Sequence, residues 1–274
     1  MKTVLLQDYE PVISLLRPLF RNPLIFELAK RDFTEKYSGS TLGFIWSFIY
    51  PLINILIYMV IFGTLMGARL PGSSSIWSYG VYLVSGLVPW TAFANTVTRS
   101  STVFLDKKNI IAKIHIDLPT LPVYILISES ITFVVTFVIF LLIMFLTGFA
   151  FSQYLLLIPV LYLIQQVFAY ALGFFLGMFV VFLRDLKEVV ALGFQIWFWF
   201  TPIVYVFDIL PKFAQQVLIW NPMCAIVSAY HDIFIYQRMP SFFYLALVLI
   251  GSIGLIIIDY YIFKKLEKDI RDFI

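Results

Sequence analysis

Five residues of one apolar run, Gly43, Ser47, Tyr50, Asn54 and Tyr58, recur at three- and four-residue spacing, so a helix gathers them into one polar and aromatic stripe. A second stripe, Gln195, Trp199 and Pro202, recurs far along the chain. Hydrocarbon offers an amide no partner, so Asn54 and Gln195 must face protein, water or a polar solute. Two readings stay open: the stripes face each other across a path, or they hydrogen-bond between helices with no solute nearby. Within the second stripe, the run Trp197, Phe198, Trp199, Phe200 sets four rings all round a helix, so at least one must face inward. Ring faces stack on the C–H face of a sugar without demanding fixed hydrogen bonds, so a path lined by them would let a repetitive glycan slide; ordinary packing is the plainer alternative. Tyr50, Asn54, Tyr58, Gln195, Trp197, Trp199 and Phe200 are therefore the candidate path residues.

Charges inside apolar runs are few. Glu129 is deep in one and is a functional candidate by default, although a position about a third of the way in also lets it reach the membrane edge. Asp259 stands nearer an edge and is expected to snorkel to it. Cys224 is the single cysteine, so no intramolecular disulfide forms, and it reads as a small packing residue. His115 and His231 have no partner at metal-ligand spacing, and no metal site is expected. Neither a GxxxxGK[ST] phosphate-binding loop nor a paired-carboxylate or nucleophile motif occurs, which speaks against catalysis by this chain. Ala169, Gly173 and Gly177 make a small-xxx-small ridge whose plain meaning is close helix packing.

The elements that hold these residues are set by composition. Of 274 residues 61% are hydrophobic and 13% charged, about half the charged share of a soluble domain, so the chain is an integral membrane protein. A net charge of +3 is too small to imply nucleic acid. A hydrocarbon core needs about 20 apolar residues in helix. Spans are expected at about 41–66, 78–104, 118–146, 154–183, 189–207 and 242–263, the second weakened by Ser85, Gly86, Pro89, Thr91, Asn95 and Thr96, which lipid tolerates only where protein or a cavity covers them. The fold class is all-α, with six transmembrane helices, an N-terminal amphipathic helix, and an outer re-entrant helical hairpin at 208–240 between the fifth and sixth spans. Residues 1–40 form a cytoplasmic amphipathic collar and docking helix, and 41–274 the six-helix transmembrane domain. The first part of the 1–40 unit, from Pro11 to Phe20, lies on the membrane surface; the second opens at Asn22-Pro23 and carries Leu24, Ile25, Leu28 and Phe33 on one face. The other face pairs Glu27 with Arg31, Arg31 with Glu35, and Asp32 with Lys36 at four-residue spacing. Gly67 to Ser75 is a turn-forming loop, and 99–117 a polar cytoplasmic segment. Sixteen Lys or Arg fall on the side of the termini and three on the other, so both termini are cytoplasmic.

Read together, these residues resemble the ABC-type-2 permeases, specifically the membrane subunit of polysaccharide exporters for O-antigen, capsule or teichoic acid. The resemblance rests on Arg31-Asp32 with Tyr37, Ser40, Leu42-Gly43, Trp46 and Pro51; on Leu83, Ser85-Gly86-Leu87, Pro89-Trp90 and Phe93; on Asn109-Ile110-Ile111 with Lys113 and Pro122; on Arg184-Asp185; on Thr201-Pro202-Ile203 with Tyr205; and on Asn221-Pro222. The chain departs from the pattern at Asp117, where members commonly carry Pro, and at His231, where they commonly carry Arg. What the resemblance implies is a homodimer in the bacterial inner membrane, paired with two ATP-binding cassette subunits that hold ATP and Mg, moving a lipid-linked polysaccharide. No cofactor would be bound by this chain. The ATPase would dock on Glu27, Arg31 and Glu35 and on Arg99, Lys107, Lys108, Asn109 and Lys113. A drug or lipid exporter of the same family, a membrane enzyme acting on lipid phosphates, and a passive channel are the competing readings.

Overall fold

A computed structural model describes residues 23–36, 40–65, 70, 77–113 and 116–274. The expected helix from Pro11 to Phe20, the cap at Asn22, Tyr37, His115 and the loop from Gly67 to Ser75, apart from Leu70, lie outside the described residues. The described residues are all-helical in class, without strands, and hold ten α-helices: α1 (Pro23–Glu35), α2 (Trp46–Tyr58, continued by a π-helical turn over Met59–Leu65), α3 (Ser78–Asp106), the short α4 (Lys108–Ile111), α5 (Leu121–Leu146), α6 (Ile158–Val180), α7 (Leu186–Trp199), α8 (Lys212–Leu218), α9 (Pro222–Phe234) and α10 (Phe242–Phe273).

Four stretches are long and apolar enough to cross a membrane: Gly43–Phe62, Leu118–Leu146, Gln153–Val180 and Phe242–Phe273. The pair α8 and α9, bent by 104°, brings the number to five if it counts as one span. Helix α3 is the exception among the long helices. Its 29 residues reach about 43 Å, yet its sequence is too polar to belong with the four. The reason is position: α3 packs against α2, α5, α6, α7 and α9 and stands at the centre of the bundle. There its polar groups are covered. The hydroxyl of Ser85 donates to the Tyr82 carbonyl at 2.8 Å, that of Thr96 to Ala92 at 2.7 Å, and Gln165 on α6 donates to the Pro89 carbonyl at 3.0 Å.

Close approach of α6 to α3 explains the glycine ridge. A Cβ built on Gly173 would sit 2.6 Å from the Ser100 Cβ, and one on Gly177 3.0 Å from the Ser100 carbonyl oxygen. Gly173→Val should force the two helices apart at a cost of about 1–3 kcal/mol, read as a lower melting temperature of the detergent-solubilised protein; an unchanged one would mean the helices are free to shift.

Helix α3 also defines two ends. Near its start, Gly86 meets His231 and Val227 of α9; near its finish, Arg99 meets Asp32 of α1. The α1 end holds an apolar cluster of Ile25, Leu28, Ala29, Phe104, Ile116, Phe174, Phe263 and Ile270, which buries the predicted face of α1 and brings the C-terminal helix alongside. Arg271 closes it by donating to the Ile116 carbonyl at 2.9 Å.

One boundary is corrected. The expected span at 189–207 is helical only as far as Trp199, because Pro202 has no N–H to give and its ring excludes the carbonyl four residues back. The chain leaves the helix at Phe200 and runs up α3, where Tyr82 donates to the Tyr205 carbonyl at 2.8 Å. After α8 it returns at Asn221, whose side chain accepts from the Met223 amide at 3.0 Å and so caps α9, with Pro222 in the first turn.

Candidate functional site

Tyr50, Asn54 and Tyr58 do share a face, and that face lines a groove of about 350 Å³ between α2, α3 and α5. Its other walls are Thr91 and Asn95 of α3 and Thr132 and Thr136 of α5, with Leu87 and Val88 as the apolar floor. The threonine hydroxyls are spent on their own helices: Thr91 donates to the Leu87 carbonyl at 2.9 Å and Thr136 to that of Thr132 at 2.8 Å. Asn54 and Asn95 are exposed to the groove and have no hydrogen-bonding partner among the described residues, so their amides are available to a polar solute. A hollow of about 30 Å³, the size of one water, continues the groove past Asn95 and Thr132 to Glu129.

At that end stands a buried ion cluster. Glu129, with 3% of its side chain exposed, accepts from Arg99 at 2.5 Å and from Lys36 at 2.8 Å on the same oxygen. Arg99 turns its other Nη to Asp32 at 2.5 Å, and Ser128 donates to the second Asp32 oxygen at 2.6 Å. Two cations thus meet two carboxylates from α1 and α5 around α3. Burial by itself would raise the Asp32 carboxyl, but hydrogen bonds from Arg99 and Ser128, with the charges of Arg99 and Lys36, outweigh it and hold the group below the ordinary carboxylate range. The expected pair of Asp32 with Lys36 is replaced by these longer-range partners, whereas Arg31 does pair with Glu35, at 2.5 Å. Asp259 is also corrected: rather than snorkelling it is buried on the face of α10 that packs against α6, and neither carboxylate oxygen has a partner among the described residues.

The aromatic run divides. Trp197 and Phe198 are the rings that face inward: Trp197 packs against Trp90, Phe93 and Phe194 at centroid distances of 6.1, 5.6 and 5.5 Å, and Phe198 against Trp90 at 5.8 Å. The Trp197 Nε1 donates to Asn221 at 2.8 Å, and Asn221 donates to the Phe200 carbonyl at 2.8 Å, so this pair locks the end of α7 to the start of α9. Within one chain Trp197 therefore ties two helices together. Gln195, Trp199 and Phe200 lie on the opposite, exposed side with Leu192 and Ile196. Both α2 and α7 pack on α3 without extensive contact with each other, so one chain does not bring the two stripes together.

The predicted docking residues divide as well. Glu27, Arg31 and Glu35 are exposed on α1, and Lys108, Asn109 and Lys113 are exposed at α4. Lys107 lies over the Tyr124 ring at 5.2 Å, and Arg99 is held inside the ion cluster. The sequence reading missed the groove's second and third walls. Their signal was present: Thr91, Asn95 and Arg99 recur every four residues, as do Ser128, Thr132 and Thr136.

A family model described as ABC-2 type transporter matches residues 23–235. The O-antigen export system permease protein RfbA of Myxococcus xanthus is 28% identical over 237 residues, covering 84% of this chain and 87% of that protein. Its namesake in Klebsiella pneumoniae is 27% identical over 245 residues, 89% of this chain and 92% of the relative. More distant is the polysialic acid transport protein KpsM of Escherichia coli, 21% identical over 210 residues, 72% and 76% of the two chains.

Proposed function

Since the chain belongs to the ABC-2 type transporter family, we propose that it is the membrane subunit of an ATP-driven exporter that carries a lipid-linked polysaccharide, O-antigen foremost, across the bacterial inner membrane. What carries this reading is the likeness to O-antigen export permeases at 27–28% identity over most of the chain. The groove supports it. Exposed amides at Asn54 and Asn95, the rings of Tyr50 and Tyr58, and threonine hydroxyls already satisfied by their own helices suit a solute rich in hydroxyls that must move on.

In this reading six crossings are completed by α3 and α7, the bent pair α8 and α9 is the re-entrant hairpin, and the α1 end is cytoplasmic because positive charge gathers there. Two copies form the path, so that the exposed stripe of α7, with Gln195, Trp199 and Phe200, closes the groove of α2 from the other subunit. ATP and its Mg are held by a separate subunit, docked on α1 and α4, where Ile25 and Leu28 share one apolar cluster with Ile110 and Ile111. Reversing the exposed Lys108 and Lys113 to Glu should reduce co-purification of that ATPase at least tenfold, about 1.4 kcal/mol; undiminished recovery would place the docking surface elsewhere.

Deleting the subunit tests the function as a whole. Lipid-linked polymer should accumulate on the cytoplasmic face and none should reach the surface. Surface polymer at normal level in the deletion strain would overturn the proposal.

A further inference from the structure

At the end of the bundle opposite α1, the turn leaving α9 and the start of α10 enclose a cavity of about 250 Å³, and a neighbouring hollow of about 410 Å³ shares Ile219, Ala225 and Tyr244 with it. The second is of a size that small ligands occupy, and the first, just below that range, opens beside it. The first is unusual in its chemistry for a protein so apolar. Asp208, Ser228, Asp232, Arg238, Tyr236 and Tyr244 all line it, and the adjoining hollow adds Trp220.

Arg238 is held in place three ways. Its Nε donates to Asp232 at 2.7 Å, its backbone N–H to the Asp232 carbonyl at 2.9 Å, and its guanidinium lies over the Tyr236 ring at 4.9 Å. Among the described residues neither Nη of Arg238 nor the second oxygen of Asp232 has a hydrogen-bond partner. The turn that sets this geometry contains Gln237 at φ 48°, a left-handed conformation a non-glycine residue adopts at a cost, and its side chain donates to the Ala150 carbonyl at 3.1 Å. Fixed planar donors and acceptors suit adjacent hydroxyls, and the flanking rings suit the C–H face of a pyranose.

Charge narrows the ligand. Two carboxylates, Asp208 and Asp232, face one guanidinium, so the lining is net negative and repels phosphate or fatty-acid headgroups. His231 does not alter this balance: it is buried, stacked on Tyr82 at 3.8 Å, with Nε2 3.0 Å from the Tyr82 carbonyl. Acyl chains would leave the polar groups unpaired.

We propose that this cavity binds a neutral sugar residue, one site per subunit, separate from the groove of α2, α3 and α5, and that it holds the emerging end of the polymer at the exit side. The inference rests on the export reading above. Its test uses the assembled transporter, permease and ATPase together, in lipid nanodiscs. Oligosaccharides released by mild acid from the host's own surface polysaccharide are titrated by saturation-transfer NMR, with dextran fragments of equal length as control.

Wild type should bind the host fragments in preference to dextran. Ser228→Trp, which fills the cavity, and Arg238→Lys, which keeps the charge but loses the planar fork, should each weaken binding at least tenfold. Equal affinity in wild type and both variants would overturn the proposal, as would no preference over dextran, or a phospholipid found in the cavity by native mass spectrometry. Failure of the export reading is a different result: the wild-type transporter would then deliver no polymer across the membrane, whatever the cavity binds.

Discussion

Glutamine in place of Glu129 should cut the yield of folded protein several-fold and lower its melting temperature by roughly 6–12 °C, taking about 2–4 °C per kcal/mol for a chain of this size. The carboxylate is the shared acceptor of Arg99 and Lys36. Removing one partner of a buried pair typically costs about 3–5 kcal/mol, because the other charge stays behind without compensation. Here the low end, about 3 kcal/mol, applies, since Arg99 and Lys36 keep 31% and 27% of their side chains open to solvent. Replacing both members, Glu129→Leu with Arg99→Met, should recover part of the loss, since neither charge is then stranded. Strictly additive losses would mean that the two residues do not depend on each other. Acid acts on the same cluster through Asp32. Its folded pKa is depressed, so its contribution is complete above about pH 4, its unfolded value, and is lost as pH falls through the lower folded value.

How much of this was legible in the sequence depended on distance along the chain. The apolar runs of α2, α5, α6 and α10 announce themselves because crossing a bilayer demands length, and the stripe of Tyr50, Asn54 and Tyr58 because one helix sets its own period. The weak second span was readable in the right sense: Ser85, Thr96 and Pro89 needed covering, and α3 is the helix that the others cover. The ion cluster was not. Asp32 and Lys36 carry a local pairing signal, yet each finds a partner more than 60 residues away, and no period connects Asp32 to Arg99. At α7 a local signal existed and hydropathy masked it: Pro202 ends the helix, but the residues after it are as apolar as those before. For the four-ring run, counting alone required at least one inward ring; only the contacts with Trp90 and Phe93 identify Trp197 and Phe198 as the inward pair.

Filling the groove should abolish transport without unfolding the protein. Thr136→Trp places a large ring opposite Tyr58, at a position on α5 that is only partly buried and whose hydroxyl bonds within its own helix. No buried polar group is orphaned by the change, so stability should stay within about 0.5 kcal/mol, as for substitutions away from packed features. Surface polymer should fall at least tenfold, while the amount of assembled complex and its basal ATP hydrolysis remain. Asn54→Leu and Asn95→Leu keep the groove open but remove its two amides that have no partner among the described residues. They should slow export less, several-fold each, because each deletes a transient contact and leaves the passage itself. The order matters for the mechanism. If the groove is one wall of the path, a plug must exceed the loss of a contact; if Asn54 and Asn95 only bond to another helix in the assembled dimer, the two leucine variants must instead reduce the amount of complex. Normal export from Thr136→Trp, with the folded protein present at the wild-type level, would remove the groove from the path altogether and leave the exposed face of α7, where Trp199 stands 61% open, as the surface to test next.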